Sequence, residues 1–205
     1  MLGIQDQTTL SVPTRIPSKS FRDSPVAQIS SGLHHNAVLT KDGKVFTFGL
    51  GSNGRLGNFS DRNQHVPCVV KGLLQTPIRS VNCGNDATAC IDFKNQLWAF
   101  GFNNKGKLGM LSIDSKIAEP ICILQVPNKY QVEGVQEVSV GFTHSTLRTV
   151  DNKIFVLGDI VISKQKEVSN EGQFYPRCLE GINVGLTRSS RTSAARRTGT
   201  STTPV

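Results

Sequence analysis

The chain has 205 residues, of which 37% are hydrophobic and 19% charged, so it is long enough to bury a core without disulfides or metals. Its 19 glycines, 9 prolines and low aromatic content of 6% favour short strands joined by turns and predict an all-β fold. The net charge is +8, and neither a signal peptide nor an apolar run of the ~18 residues needed to span a membrane is apparent, so we expect an intracellular protein, cytoplasmic or nuclear.

The first segment, residues 1–24, is rich in Ser, Thr, Gln and Pro and has no hydrophobic periodicity. Such a composition is typical of a chain that cannot bury enough apolar surface to fold. We therefore expect a disordered N-terminal segment. The alternative is that part of it adds an outer strand to the sheet that follows.

Three copies of one pattern follow in chain order. Each copy opens with an apolar stretch that ends in glycine, and a second glycine falls seventeen residues later. These glycine pairs are Gly32 and Gly49, Gly84 and Gly101, and Gly141 and Gly158. Between the two glycines lie two apolar stretches separated by a turn, which predicts a β-hairpin whose second turn residue tolerates positive φ. The residues at that position are Gly43, Asn95 and Asn152.

The strand after each turn is apolar on both faces. In the first copy, Phe46 and Phe48 point to one face, while Val45 and Thr47 point to the other. A strand that is buried on both faces needs a sheet on each side, and the radially stacked blades of a β-propeller supply this for every copy. We therefore predict a propeller in which each copy forms one blade.

A tight loop that closes with Gly-x-Leu-Gly follows the hairpin in the first two copies. We expect its leucines, Leu56 and Leu108, to point into the core, and its glycines to permit the close turn. A later proline then opens an edge strand in each copy. These prolines are Pro67, Pro120 and Pro176.

This combination of spaced residues resembles the repeat of the regulator of chromosome condensation family over residues 26–181. The first copy matches almost throughout, the second has Ala87 where the family has histidine, and the third lacks the glycine loop after Asp159. The resemblance implies an all-β, incomplete β-propeller of about three four-stranded blades with disordered termini. The blade ranges that it implies are residues 25–76, 77–133 and 134–183.

Complete rings in that family have seven blades, so three blades leave the outer faces of the first and last blade uncovered. Three explanations stay open from the sequence. The chain self-associates through its open blade faces into a larger ring or stack, it is buried against another protein, or it is a truncated or alternatively spliced product of a longer gene.

No residue pattern predicts catalysis. His35 and His144 occupy the same repeat position, so we expect each ring to bind a neighbouring backbone group and to serve its blade. The five cysteines have no paired two-residue spacing and are expected to be buried reduced thiols. We therefore predict no catalytic residue, no metal site and no cofactor.

The predicted function is a non-catalytic protein-interaction or scaffold module that binds unidentified protein partners through loops at the propeller rim. The candidate partner-binding residues are Arg55, Arg62, Lys105, Lys107, Lys116 and Lys164. Residues 184–205 form a basic tail, rich in Ser, Thr and Arg, that we expect to be disordered. Its candidate contacts to an acidic partner or to nucleic acid are Arg188, Arg191, Arg196 and Arg197.

The family resemblance also implies an alternative function, guanine-nucleotide exchange on a Ran-like small GTPase. Such a protein would stabilise the nucleotide-free state of the GTPase through surface complementarity, without covalent chemistry. A further alternative is an inactive fragment or isoform of a longer propeller protein.

Overall fold

The computed structural model describes residues 3–4, 9–110, 115–123, 132–159 and 177–178. These residues form three antiparallel four-stranded sheets, here called blades, whose strands pair in chain order. The first blade contains β1 (Val26–Ser31), β2 (His35–Thr40), β3 (Val45–Gly49) and β4 (Gln64–Val69). The second contains β5 (Ile78–Cys83), β6 (Ala87–Asp92), β7 (Leu97–Phe102) and β8 (Lys116–Cys122). The third contains β9 (Val135–Val140), β10 (His144–Thr149), β11 (Ile154–Gly158) and β12 (Arg177–Cys178).

The predicted all-β fold of three blades is confirmed. Each set of four strands lies within one of the residue ranges expected for a blade. The helices among the described residues are all short 3-10 helices, and none of them is long and apolar enough to cross a membrane. The predicted basic tail at 184–205 lies outside the described residues.

The hairpin between the second and third strand of each blade has the predicted turn. The second turn residues have left-handed backbones, with φ of 78° at Gly43, 61° at Asn95 and 63° at Asn152. Glycine and asparagine are the residues that adopt this conformation most readily. The turn chemistry of the sequence therefore sets the register of all three hairpins.

The glycine that ends the third strand is required by close backbone approach. Gly101 has φ 113°, and a Cβ atom on it would lie 2.5 Å from the Cα of Ala87. Neither the dihedral nor the space admits a side chain.

Most of the core lies between blades. One cluster of buried side chains runs through all three blades and includes Leu108. Leu56 and Leu108 are buried at 0% and 3% exposure, as predicted. Cys83, Cys90 and Cys122 are buried and form no disulfide, as expected, whereas Cys68 is half-buried.

The first strands of the second and third blades each pack against the preceding blade. Strand β5 lies against β1 and β2, and β9 lies against β5 and β6. The Gln28 side chain donates to the carbonyl oxygen of Val81 and accepts from its N–H, both at 3.0 Å. Polar side chains of one inner strand thus bind the backbone of the next.

The face of the first blade that points away from the second blade is here called the front face. Its residues Val38, Phe46 and Phe48 are covered by the N-terminal segment, where Ser18–Phe21 form a 3-10 helix. The ring of Phe21 meets that of Phe46 edge to face, with 5.6 Å between centroids. The expectation of disorder at residues 1–24 is therefore wrong at this point, because Phe21 buries an aromatic side chain that composition does not single out.

Candidate interaction surface

Two basic side chains of the glycine loops join neighbouring blades. Arg55 is only 5% exposed, and its Nη1 donates to the carbonyl oxygen of Asn85 in the second blade at 3.4 Å. Lys107 holds the same position one repeat later, is fully buried, and donates from Nζ to the carbonyl oxygen of Phe142 in the third blade at 2.9 Å. Lys107 also forms an ion pair with Asp86. A cation at this position ties the first blade to the second and the second blade to the third.

These contacts correct two predictions. Arg55 and Lys107 were expected on a partner-binding surface, but both side chains are buried and bind the adjacent blade. A buried cation is stable only when acceptors surround it, and backbone carbonyls of the neighbouring blade supply them. Those carbonyls lie 30 and 35 residues further along the chain, so local sequence does not reveal them.

His35 makes another contact between the first two blades. Its Nε2 lies 2.9 Å from Oγ1 of Thr88, and that hydroxyl donates its proton to the carbonyl oxygen of Arg55 at 3.0 Å. Because the hydroxyl proton is committed, Nε2 of His35 is the donor and carries the proton of the neutral ring. Burial, followed by the positive charge of Arg55, lowers the pKa of His35 to about 4.

The structural role predicted for His35 is confirmed, but its partner is a side chain of the next blade rather than a backbone group. His144 is exposed, so the repeat position does not fix how the ring is used. The equivalent of Thr88 in the third blade is Ser145, whose buried Oγ has no hydrogen-bond partner among the described residues. Ser145 lacks a histidine donor because the second blade has Ala87 at the repeat position where the first blade has His35.

The exposed part of the same rim includes residues 58–63, here called the rim loop. Phe59 is 61% exposed, and its backbone has φ 63°, which is disfavoured for a bulky side chain. Its N–H donates to the carbonyl oxygen of Ala118 at 2.9 Å. Asp61 accepts from a backbone N–H of the glycine loop at 3.2 Å and pairs with Lys116 at 2.7 Å. A well-anchored backbone thus presents the aromatic ring to solvent.

The remaining predicted residues divide into two groups. Arg62, Lys105 and Lys116 are exposed, as partner binding requires. The others lie outside the described residues: Lys164, Arg188, Arg191, Arg196 and Arg197.

Sequence reasoning missed the apolar residues of this rim. Besides Phe59, Leu33 and Phe142 are 60% and 62% exposed. Leu33 and Phe142 share one repeat position, between the first and second strands of their blades, where the second blade has Asn85. An apolar residue at this turn position, outside the strand pattern, was the signal in the sequence that could have identified these exposed side chains. Among the described residues, no three His, Cys, Asp or Glu side chains are grouped so that they could hold a metal ion.

Comparisons with known proteins identify the repeat. Two models of the regulator of chromosome condensation (RCC1) repeat match, one over residues 42–91 and one over residues 26–55. The E3 ubiquitin-protein ligase HERC2 of Homo sapiens is 30% identical over 185 residues, which is 88% of this chain. The chain spans only 4% of the length of HERC2.

Two solved structures share the fold. Human WBSCR16 superposes with a TM-score of 0.67 at 19% identity, over 77% of this chain and 38% of that one. Prp20p from Saccharomyces cerevisiae, described together with its binding to Gsp1p and histones, superposes with a TM-score of 0.65 at 21% identity, over 82% of this chain and 40% of that one. The three blades therefore correspond to about two fifths of each of these chains.

Proposed function

From the premise that the chain belongs to the regulator of chromosome condensation repeat family, we propose that it is a non-catalytic module that binds other proteins through the rim loop and the basic residues beside it. The ligase activity in the name of HERC2 is not carried over, because this chain spans 4% of that protein.

The observation that carries the proposal is the state of Phe59. A bulky residue in the left-handed region costs of order 1–2 kcal/mol, and this one gains no compensating burial because its ring is 61% exposed. Such strain at an exposed aromatic ring is typical of sites kept for function rather than for stability. Aromatic and arginine side chains are also the commonest anchors of protein interfaces.

The charges near Phe59 indicate the chemistry of the partner. Arg62 follows Asp61 in the rim loop, Lys116 pairs with Asp61, and Lys105 lies on the glycine loop of the second blade; all three cations are exposed. Cations at the edge of an interface guide the approach of a partner with surface carboxylates more than they add affinity. We therefore expect an acidic protein surface with an apolar contact for the ring.

The test compares two phenylalanines of similar exposure. Phe59→Gly removes the ring and relieves the backbone strain, whereas Phe93→Gly removes a ring that is 68% exposed on the turn between β6 and β7, at the opposite rim. Proteins captured by the wild-type chain from a native extract are quantified for both variants. We expect Phe59→Gly to lose them while its stability is equal or higher, and Phe93→Gly to retain them. Equal capture by Phe59→Gly contradicts the proposal.

The same capture, done with and without a magnesium chelator, distinguishes the exchange alternative. A small GTPase recovered only in chelator, and released by added nucleotide, would establish recognition of the nucleotide-free state. Partners that are indifferent to chelator and nucleotide fit the interaction module.

A further inference from the structure

The face of the third blade that points away from the second is here called the rear face, and it carries a groove of about 230 Å³. Its lining includes the polar residues Glu137, Ser139 and Arg148 and the apolar residue Ile154. Within the chain, the equivalent surfaces of the first and second blades are filled by β5 and β9, the first strands of the following blades. The groove is therefore the continuation of an interface that the molecule already forms twice.

One polar contact of that interface is ready on the rear face. The N–H of Cys83 donates to Oγ of Ser30 at 2.9 Å, and one repeat later the N–H of Val140 donates to Oδ1 of Asn82 at 2.8 Å. Ser139 holds the next equivalent position and is exposed. A backbone N–H of an incoming strand would complete the series.

A second contact is ready beside the turn. In the second blade, Nη2 of Arg79 donates to Asn95 at 2.9 Å and to the carbonyl oxygens of Val135 and Gln136 at 2.9 and 3.0 Å. In the third blade, Nη1 of Arg148 donates to Asn152, the equivalent of Asn95, at 3.0 Å. A guanidinium thus stands beside the turn in both blades, and in the second blade it also binds the start of the next inner strand.

The matching strand is found at the other end of the molecule. Val81 and Val138, at one repeat position of β5 and β9, are 1% and 8% exposed because each packs against the preceding blade. Their equivalent on β1 is Ile29, which is 72% exposed. The N-terminal segment that contains the 3-10 helix Ser18–Phe21 covers side chains of β2 and β3 on the front face and leaves Ile29 exposed.

We propose that the groove on the rear face binds β1 of a second copy of this chain. Ile29 of the incoming strand enters the groove, the N–H of its Ser31 binds Ser139, and the carbonyl oxygens at its start bind Arg148. The contact joins the rear of one copy to the front of the next, so it is heterologous and not two-fold symmetric. It does not involve the rim loop and is independent of the proposed function.

The heterologous geometry permits a sharp test by sedimentation velocity across a concentration series. Ile29→Glu blocks the front of each copy, and Ser139→Arg blocks the rear; both residues are exposed, so both variants should fold. We expect the wild-type chain to associate as concentration rises and each variant alone to stay monomeric. A 1:1 mixture of the two variants should form a dimer and nothing larger, because one intact front and one intact rear remain.

The control is Phe93→Glu, which places the same charge at an apolar residue of similar exposure away from both faces and should associate as the wild type does. Phe59→Gly should also associate normally, which separates this contact from partner binding. A wild-type chain that is monomeric at all concentrations overturns the proposal, and so does a mixture of the variants that gives no dimer. Either result would mean that something other than a second copy covers the groove.

Discussion

Thr88 and Ser145 offer a matched test of how the blades are joined. Both residues occupy the same repeat position and both are buried. Among the described residues only the Thr88 hydroxyl has partners, at 2.9 Å from Nε2 of His35 and 3.0 Å from the carbonyl oxygen of Arg55. We expect Thr88→Val to destabilise the protein strongly and Ser145→Ala to leave its stability nearly unchanged.

The magnitudes follow from the groups left behind. Thr88→Val keeps the side-chain shape but leaves one buried donor and one buried acceptor unsatisfied, and each such group costs about 1–3 kcal/mol. Some relaxation is expected, so the free energy of unfolding should fall by about 2–3 kcal/mol. Ser145→Ala removes a hydroxyl that already lacks a partner among the described residues, so the change should stay within about 0.5 kcal/mol.

Urea unfolding of the two variants beside the wild type measures the difference. Equal slopes against denaturant allow the midpoints to be compared as stabilities. If both variants lose the same stability, the hydroxyl at this position acts through packing alone, and the hydrogen-bonded link between His35, Thr88 and Arg55 has no energetic role.

Three further changes test other contacts. Burial lowers the pKa of His35 from 6.5 to about 4, so the folded state resists protonation of this ring. The free energy of unfolding of the wild type should therefore fall by about 3 kcal/mol between pH 6.5 and pH 4. In a series of unfolding experiments across this pH range, His35→Gln should show a smaller decrease. Gly101→Val should lower the melting temperature by about 10 °C or more, seen by circular dichroism, because its Cβ would lie 2.5 Å from Ala87 Cα. Lys107→Met should cost about 3–5 kcal/mol in urea unfolding by stranding Asp86, and adding Asp86→Asn should recover part of the loss.

The features that the sequence predicts are those set by local chemistry. Asn95 and Asn152 stand where the backbone turns left-handed, and Leu56 and Leu108 recur at a fixed distance from a glycine. Each requirement is met within a few residues of chain and is repeated, so the pattern is visible without a structure.

The features that the sequence does not predict depend on contacts between blades. Whether a cation such as Lys107 faces solvent or a neighbour is decided by the carbonyl of Phe142, 35 residues away. Phe21 lies in a polar segment with no periodicity and still buries its ring, because the front face offers Phe46. Counting charges or apolar residues along the chain therefore misplaces both.

The front face of the first blade and the rear face of the third blade differ in composition and in how they are covered. The front face is apolar at Phe46 and Phe48, and a segment of the chain covers it. The rear face carries Thr146 and Arg148 at the positions where the first blade buries Ala37 and Leu39 and the second buries Ala89 and Ile91.

Polar groups at these two positions make it less costly for the rear face to be exposed to water. Arg148 also forms an ion pair with Glu137 at 3.2 Å, and both side chains stay in contact with solvent. The same guanidinium can exchange that exposed partner for backbone carbonyls of an incoming strand. Since surface ion pairs of this kind contribute only about 0–1 kcal/mol, the exchange is nearly balanced. A rear face built in this way favours a contact that forms and dissociates with concentration over a permanent one.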